Sequence, residues 1–242
     1  MPTREDWQRR LGPLYGGAVA LAHSTPVSWP ELATDESRSP SWIVALGAPI
    51  GVLAYIVAAL AQAAGLPASV SSTLGIAMLS VASAAIIERG LAERIDRWQV
   101  QGRSTVASVV TLMFLTLVRV EAFAVVPSSR WLVVLVATAM VGRWSAVFLQ
   151  SLGDPILDDD APRSLVANPA PAWLTAAISV AILAVSVLAI GKGAIAAMAI
   201  AAACAFVLGL DAQRRDRGLS GPVVAMAAAI GELLVLLVAS LG

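Results

Sequence analysis

The feature that most constrains this chain is a series of long apolar stretches that contain almost no charge. A helix needs about 20 apolar residues to cross a hydrocarbon core of about 30 Å. Seven stretches approach that length and are bounded by charge, Gly or Pro, at residues 42–64, 66–87, 105–126, 131–150, 173–190, 193–210 and 220–241. Backbone groups in lipid must be satisfied within the protein, which favours helices. We therefore predict an all-α fold, a polytopic transmembrane helix bundle of about seven spans.

Composition agrees with a membrane protein. The chain is 58% hydrophobic and only 13% charged, whereas an ordinary soluble domain carries about 25% charge. We predict one integral-membrane domain over residues 1–242, with a cytoplasmic or interfacial segment at 1–41 and the membrane bundle at 42–241. The apolar run at 11–22 is too short to cross and is expected at the interface or beside the first helix. The N-terminus lacks the compact apolar region of a cleaved signal, so we expect a mature chain.

Several classes of site are excluded by two residue counts. Cys204 is the only cysteine and His23 the only histidine. Disulfide frameworks and zinc sites that need several Cys and His ligands are therefore excluded. A metal would have to be a hard cation held by carboxylates. The formal net charge of zero gives no indication of a nucleic-acid partner.

Basic residues gather on one side of this layout. Short cytoplasmic loops hold an excess of Lys and Arg, and the N-terminal segment with the second, fourth and sixth loops holds twelve of the sixteen. The opposite loops hold only Arg130 and Lys192. Fourteen of the sixteen acids follow the same segregation. We predict a cytoplasmic N-terminus, an external C-terminus, and polar chemistry at the cytoplasmic face.

Small residues in the apolar stretches predict close helix packing. The first stretch carries Gly47-x-x-x-Gly51, a spacing that lets helix backbones approach closely in lipid. Pro49 lies between these glycines and is expected to kink the span. The fifth and sixth stretches are joined by Gly191, Lys192 and Gly193, which predict a tight hairpin.

Four ionisable residues lie inside the predicted spans, where each costs at least about 2.5–3.5 kcal/mol near the centre unless it is paired or reaches the interface. Arg119 and Glu121 cannot easily pair with each other at a spacing of two, and near the outer end we expect them to snorkel. Arg143 lies about 10 Å and Glu232 about 18 Å from the inner boundary. A pair across helices explains both, either in packing alone or in contact with a substrate.

The second cytoplasmic loop, at 88–98, mixes acids and arginines. If the helix continues through it, Glu93 and Asp96 share one face at i, i+3, with Arg97 at i+4. Two carboxylates at that spacing are suited to hold Mg²⁺ for a phosphoryl-type transfer. The alternative is a solvated helix end whose charges of alternating sign pair with each other, as Arg89 and Glu93 would.

Two other loops offer weaker candidates. The fourth loop contains Asp154 and three consecutive acids at 158–160, which either bind a cation or are simply hydrated. The sixth loop, at 214–222, either offers backbone amides and arginines to a phosphate or serves as a positive-inside anchor. Ser220 is expected to cap the last helix, with Pro222 in its first turn.

Segments spread along almost the whole chain share the motif pattern of one family. They are the stretch 20–27 ending in Pro26-Val27, Gly47-Ala48-Pro49-Ile50-Gly51 followed by Gly65-Leu66-Pro67, the loop 89–96, Gly142-Arg143-Trp144, and 217–221 through 231–233. Together they resemble the cobalamin synthase family, the integral-membrane adenosylcobinamide-GDP ribazoletransferases. The loop 89–97 lies where that family has the acidic signature Asp-Gly-Leu-Ala-Asp-x-x-Asp-Gly.

The resemblance implies transfer of α-ribazole, or its phosphate, to adenosylcobinamide-GDP with release of GMP and a need for Mg²⁺, in a multi-pass protein of a prokaryotic inner membrane. Attack on a pyrophosphate needs alignment and charge neutralisation more than a protein nucleophile. The resemblance makes Glu93 and Asp96 the catalytic residues and metal ligands. It also implies that substrate is bound by Arg143, Glu232, Gly218, Ser220 and Gly221.

Departures from the family pattern leave the activity open. Within the signature, Asp96 is retained and Glu93 replaces Asp, but Arg89 stands at the first Asp and Arg97 at the closing Gly. Three hypotheses follow: a diverged transferase, a non-catalytic membrane scaffold or corrinoid-binding subunit, and a transporter. The transporter is favoured only by the two intramembrane charges and the proline kink. A second copy or another membrane subunit is an open alternative for a protein partner.

Overall fold

The computed structural model describes residues 4–29, 32, 38–98, 105–154, 156, 164–168, 170–216 and 218–242. Within these ranges the chain is helical, and its only strand-like feature is a short backbone pairing of residues 154–156 with Leu219. The α-helices are α1 Arg4–Leu11, α2 Tyr15–Ser24, α3 Pro40–Ala45, α4 Gly47–Ala63, α5 Ala68–Ala82, α6 Ile86–Trp98, α7 Thr105–Ala124, α8 Trp131–Gln150, α9 Ala172–Ile190, α10 Gly193–Arg215 and α11 Gly221–Ala239.

Six helical stretches in the described ranges are long and apolar enough to cross a membrane, and a bent pair raises the number to seven. They are Pro40–Ala63, Val106–Ala124, Ser128–Gln150, Ala172–Ile190, Gly193–Arg215 and Gly221–Ala239. The bent pair is α5 with α6. The predicted all-helical, multi-pass bundle is confirmed.

The bent pair differs from the prediction of one straight span at 66–87. Helix α5 has 15 residues, which is about 22 Å and shorter than a core of about 30 Å. The chain turns by 80° before α6 begins. In the turn, Ala84 and Ala85 have φ angles of 52° and 50°, a left-handed conformation that costs an alanine about 1–2 kcal/mol. Contacts elsewhere must therefore hold this turn in place.

Helices α8 and α11 form the centre of the bundle. In their most apolar segments 72% and 67% of residues are buried, against 28% for α7 and for α9. The predicted close approach at the Gly-x-x-x-Gly pair is confirmed, because α4 lies directly on α8. A Cβ added to Gly51 would lie 2.5 Å from Val136 Cα, and one added to Gly47 would lie 2.7 Å from Met140 Cα.

The helices are interrupted near Pro49 and at Gly191, two positions singled out by the sequence. The first span is interrupted at Leu46, between α3 and α4, where Pro49 has no N–H to offer the Ala45 carbonyl. Helix α9 ends at Gly191, whose φ of 70° suits glycine. Helix α10 begins two residues later, which gives the expected tight hairpin.

Helix α2 packs beside the first span. Helix α2 has ten residues, about 15 Å long, so it is too short to cross, as predicted. Gly16 and Gly17 lie against the ring of Trp42, which approaches their built Cβ positions to 2.9 and 3.0 Å. Trp7 of α1 packs its ring edge to face against the ring of Trp29.

Candidate functional site

Helix α6, the C-terminal ends of α8 and α10 and the N-terminal end of α11 meet at one end of the bundle, which we call the basic end. The Gln213 side chain donates to the Leu152 carbonyl at 3.3 Å, and the Leu219 amide donates to the Asp154 carbonyl at 2.9 Å. Gly90 of α6 lies against α11, where an added Cβ would be 2.3 Å from Ala225 Cβ. The basic end carries most of the loops that we predict to be cytoplasmic.

A buried glutamine at the end of α8 organises the loop segment 164–168. Gln150 donates to the Leu165 carbonyl at 3.1 Å and accepts from the Ala167 amide at 2.6 Å. The Asn168 amide then donates to the Arg38 carbonyl at 2.9 Å, which ties in the segment before α3. These bonds replace water for backbone groups that are buried beside the bundle.

Helix α6 continues through the predicted acidic loop, so Glu93 and Asp96 share a face as expected. Glu93 is exposed and forms an ion pair with Arg97. Asp96 is half-buried, and its Oδ1 is buried with no hydrogen-bond partner among the described residues. In the described ranges no three Asp, Glu, His or Cys side chains are grouped as a metal site. A cation here would therefore have at most two carboxylates from the described residues.

A second set of charges at the basic end was not foreseen. Arg94 of α6 is buried and bonds to both Asp211 and Asp216 at the end of α10, the first at 2.8 Å. Arg215 also bonds to Asp211, at 2.7 Å. Only the pair of Asp211 and Arg215 has a signal in the sequence, the i, i+4 spacing on one helix. The contacts of Arg94 join residues more than 100 positions apart, for which one sequence gives no signal.

The predicted phosphate-binding loop at 218–221 is packed into the protein. A Cβ on Gly218 would lie 2.7 Å from the Ile156 side chain, and the Leu219 amide is already bonded. Ser220 precedes the first residue of α11, with Pro222 in the first turn, as predicted. Its hydroxyl does not cap the helix, however, and Ser220 Oγ is buried with no partner in the described chain. Arg217 and the acids at 158–160 lie outside the described residues.

The strongest polar feature lies deeper in the bundle, at the turn between α5 and α6. Arg119 of α7 donates to Glu232 of α11 at 2.6 Å and to Glu88 of α6 at 3.1 Å. Ser80 of α5 donates to the same Glu88 oxygen at 2.6 Å, across the turn. We call Glu88, Arg119, Arg143 and Glu232, together with Ser80 and Ser83, the buried charge network.

Arg143 joins this network from α8. Its Nη2 donates to Ser83 Oγ at 2.8 Å and its Nη1 to the Ala139 carbonyl at 3.2 Å. Gly142 leaves space for the Glu232 side chain, because a Cβ on Gly142 would lie 2.4 Å from Glu232 Cγ. Arg143 is fully buried, so a substrate reaches it only if the surrounding helices move.

The network contradicts the prediction for Arg119 and shows how Glu232 is paired. Arg119 does not snorkel: it is only 3% exposed and pairs inside the bundle. That prediction was wrong because α5 ends earlier than the predicted span. Glu88, which the predicted layout places in a loop outside the membrane, therefore lies inside the bundle beside Arg119. Glu121 is exposed on the same helix and does not pair with Arg119. Glu232 does pair across helices, but its partner is Arg119 rather than Arg143.

An apolar cavity of about 200 Å³ lies elsewhere, between α2, α4 and α5. It is lined by side chains such as Leu21, Pro49 and Val81. None of the predicted site residues lines it. The candidate chemistry therefore belongs to the basic end and to the network above it.

Comparison with known families decides the wider identity of the chain. The family model of cobalamin-5-phosphate synthases matches residues 17–240. The chain belongs to the cobalamin-5-phosphate synthase family. Membership places this protein among the enzymes of cobalamin biosynthesis and confirms the resemblance drawn from its motifs. Searches of curated proteins and of solved structures gave no match.

The matched range includes every helix that contributes to the basic end and to the buried charge network. Helix α1 lies outside the match. For this member of the cobalamin-5-phosphate synthase family, both candidate regions therefore lie on the family's own part of the chain, which makes them the natural place to look for its chemistry.

Proposed function

We propose that the protein transfers α-ribazole, or its phosphate, to adenosylcobinamide-GDP with release of GMP, at the basic end of the bundle. The observation that carries this proposal is Asp96, whose unpartnered, buried carboxylate oxygen lies within the matched family region. Exposed arginines at the same end, Arg214 and Arg215, supply positive charge for a pyrophosphate. We also propose that this end faces the cytoplasm of a prokaryote, on the asymmetry of basic residues.

The proposed reaction is a phosphoryl-type transfer. A hydroxyl oxygen of α-ribazole forms a new bond to the phosphorus that remains with the corrinoid. The bond from that phosphorus to the bridging oxygen breaks, GMP leaves with the bridging oxygen, and the hydroxyl proton passes to solvent. Such a transfer depends on alignment and on neutralising charge on the transferring and leaving oxygens. Arginines at the basic end suit the neutralisation of this charge, because one guanidinium group donates two parallel hydrogen bonds to phosphate oxygens.

Glu93 and Asp96 fit a magnesium ion that arrives with the substrate. Mg²⁺ commonly uses one or two protein carboxylates together with substrate phosphates, and these two side chains share one face of α6. Asp96 already has a free carboxylate oxygen. The ion pair that occupies Glu93 is exposed, and such pairs are worth about 0.2–1 kcal/mol, so Glu93 is released at little cost. When bound, the cation would neutralise pyrophosphate charge.

The remaining residues that we predict to bind substrate lie either at the basic end or deeper inside the bundle. Ser220 has a buried hydroxyl without a partner at the start of α11, which suits a bond to a phosphate or ribose oxygen. Gly218 packs against the Ile156 side chain two residues before Ser220, and Gly221 follows Ser220 as the first residue of α11. Arg143 and Glu232 contact substrate only if a helix moves to uncover them, because both are buried. Their role in binding remains a prediction.

The transferase proposal is tested by product formation. The purified protein in detergent is given adenosylcobinamide-GDP, α-ribazole phosphate and Mg²⁺, and GMP is measured against a no-protein control. Asp96→Ala is expected to abolish Mg²⁺-dependent release of GMP while the protein elutes as the folded parent does. Glu121→Ala, at an exposed acid of α7, is the matched control and is expected to leave turnover unchanged. Unchanged turnover in Asp96→Ala would refute the metal role of Asp96.

A non-catalytic relative is the second candidate, favoured by one observation. Arg97 stands where the family signature has Gly, and it pairs with Glu93 rather than leaving that carboxylate free. On this alternative the protein is a membrane scaffold or a corrinoid-binding subunit. Binding of adenosylcobinamide-GDP without any release of GMP would favour it over the transferase.

A further inference from the structure

The joint between α5 and α6, at Ala84 and Ala85, has a backbone conformation that is intrinsically unfavourable. Ala84 and Ala85 both have positive φ angles, a region that residues with a Cβ rarely occupy. Two backbone bonds close the turn, from the Ala84 amide to the Val81 carbonyl at 3.0 Å and from the Ala85 amide to the Ser80 carbonyl at 2.8 Å. Strain of this kind persists where surrounding contacts fix the conformation.

Side chains from four other helices meet at the turn and at the first residues of α6. Glu88, in its first turn, is bonded to Ser80 across the joint and to Arg119 of α7. Arg119 is in turn bonded to Glu232 of α11. On the other side of the joint, Arg143 of α8 donates to Ser83, the residue that precedes the two strained alanines.

The far half of α6 is fixed by a separate set of ions. Arg94 bonds to Asp211 and Asp216 at the end of α10. Between the two sets, Gly90 lets α6 pack closely on α11, because its missing Cβ leaves room for the Ala225 side chain. Helix α6 is therefore held in both halves by charges from other helices, and one of its faces carries the exposed Glu93 and the half-buried Asp96.

We propose that Glu88 and Arg119 are positioning residues that hold α6 at a fixed angle to α5 and against α11. They touch neither substrate nor metal. Their effect on chemistry passes through the placement of Glu93 and Asp96, and this part of the inference rests on the proposed function. Loss of the contact releases the strained turn, and α6 then moves relative to the start of α11.

The position of the network separates this role from simple packing. A charge pair that only joined two spans would lie between straight helices, away from any turn. Here three of the bonded side chains, Ser80, Ser83 and Glu88, lie within five residues of the two strained alanines. The bonds therefore act on the angle between α5 and α6.

Cysteine labelling measures the position of α6 directly. Ala92, half-buried on α6, is changed to Cys in a Cys204→Ala background, and labelling by an aqueous maleimide is followed in permeabilised membranes. Glu88→Gln removes a charge-assisted hydrogen bond and is expected to raise the labelling rate at least about tenfold, equivalent to about 1.4 kcal/mol. Arg119→Gln is expected to do the same, and Arg119→Lys, which keeps the charge, to show a smaller rise.

Glu121→Gln is the matched control, because it removes an exposed carboxylate from α7, the same helix that carries Arg119. Its labelling rate is expected to equal that of the parent. If Glu88→Gln and Arg119→Gln do not yield folded protein, Ser80→Ala and Ser83→Ala decide, since each removes one bond at the joint without burying a lone charge. A parental labelling rate in the folded variants would overturn the inference.

Turnover separates this inference from the proposed function. In the variants kcat is expected to fall with KM nearly unchanged, because substrate contacts stay in place while the acids are displaced. If the parent itself releases no GMP, the proposed transferase fails and the labelling result still decides the role of Glu88. If the parent turns over and labelling never changes, the positioning role alone fails.

Discussion

The buried charge network and the exposed pair of Glu93 and Arg97 use the same chemistry in opposite surroundings. The side chains of Arg119 and Glu232 are each 4% exposed, whereas those of Glu93 and Arg97 are 48% and 47% exposed. Removing one partner in the interior leaves a charge without compensation. At the surface, water takes the place of the lost partner. One charge set therefore fixes helices, and the other is free to exchange its partner for a ligand.

This contrast brings anchoring contacts and candidate metal ligands together on one short helix. The first turn of α6 is bonded to α5 and α7, and through Arg119 to α11. Its last turns carry Glu93, which is cheaply released, and Asp96, which already has a free oxygen. A site that must admit a large, charged substrate benefits from ligands that move little but exchange partners easily.

The largest effect is expected where the interior pair is broken. Arg119→Ala leaves Glu88 and Glu232 without their shared partner, and loss of one member of a buried pair costs about 3–5 kcal/mol. Unfolding in mixed micelles would measure the difference in the free energy of unfolding. Glu121→Ala, two residues away and exposed, is the control and is expected to stay within about 0.5 kcal/mol of the parent. Equal stability of the two variants would remove the contrast between the regions.

An intermediate effect is expected where interior packing is tight without charge. Gly51→Ala adds a Cβ at 2.5 Å from Val136 Cα, so α4 and α8 must move apart, at about 1–3 kcal/mol. The same unfolding measurement applies, with Val52→Ala on the exposed side of α4 as the control. A loss larger than that of Arg119→Ala would show that packing, rather than charge, dominates the interior.

The smallest effect is expected at the surface pair. Arg97→Ala breaks an i, i+4 ion pair on the exposed face of α6, which is worth about 0.3–0.5 kcal/mol. The unfolding curve is therefore expected to coincide nearly with that of the parent. A loss of more than about 1 kcal/mol would mean that Glu93 is held as firmly as the interior acids, which would count against its release to a cation.

The overall architecture was predictable because lipid imposes local rules. Backbone groups must be satisfied within each segment, so span length, Gly191 at a hairpin and the Gly47–Gly51 spacing are each visible in a short window of sequence. The sequence analysis gave a shared face for Glu93 and Asp96 on the condition that a helix continues through 88–98, and α6 meets that condition.

The charge network was not predictable from the same windows. Glu88 and Arg119 are 31 residues apart, and Arg119 and Glu232 are 113 apart. Their meeting depends on the end of α5 at Ala82, and no proline or glycine marks that point. The buried oxygen of Asp96 was equally hidden, since its burial depends on what packs against α6.

Short windows of sequence were enough to predict a helical membrane bundle and to find motifs that resemble those of cobalamin-5-phosphate synthases. The first follows from the behaviour of single segments in lipid, and the second from residue identity within each motif. Which charges are satisfied and which are free was settled by the folded bundle, because pairing between distant segments depends on where helices end and cross. The turn after Ala82 places Glu88 beside Arg119, and Arg119 in turn pairs with Glu232.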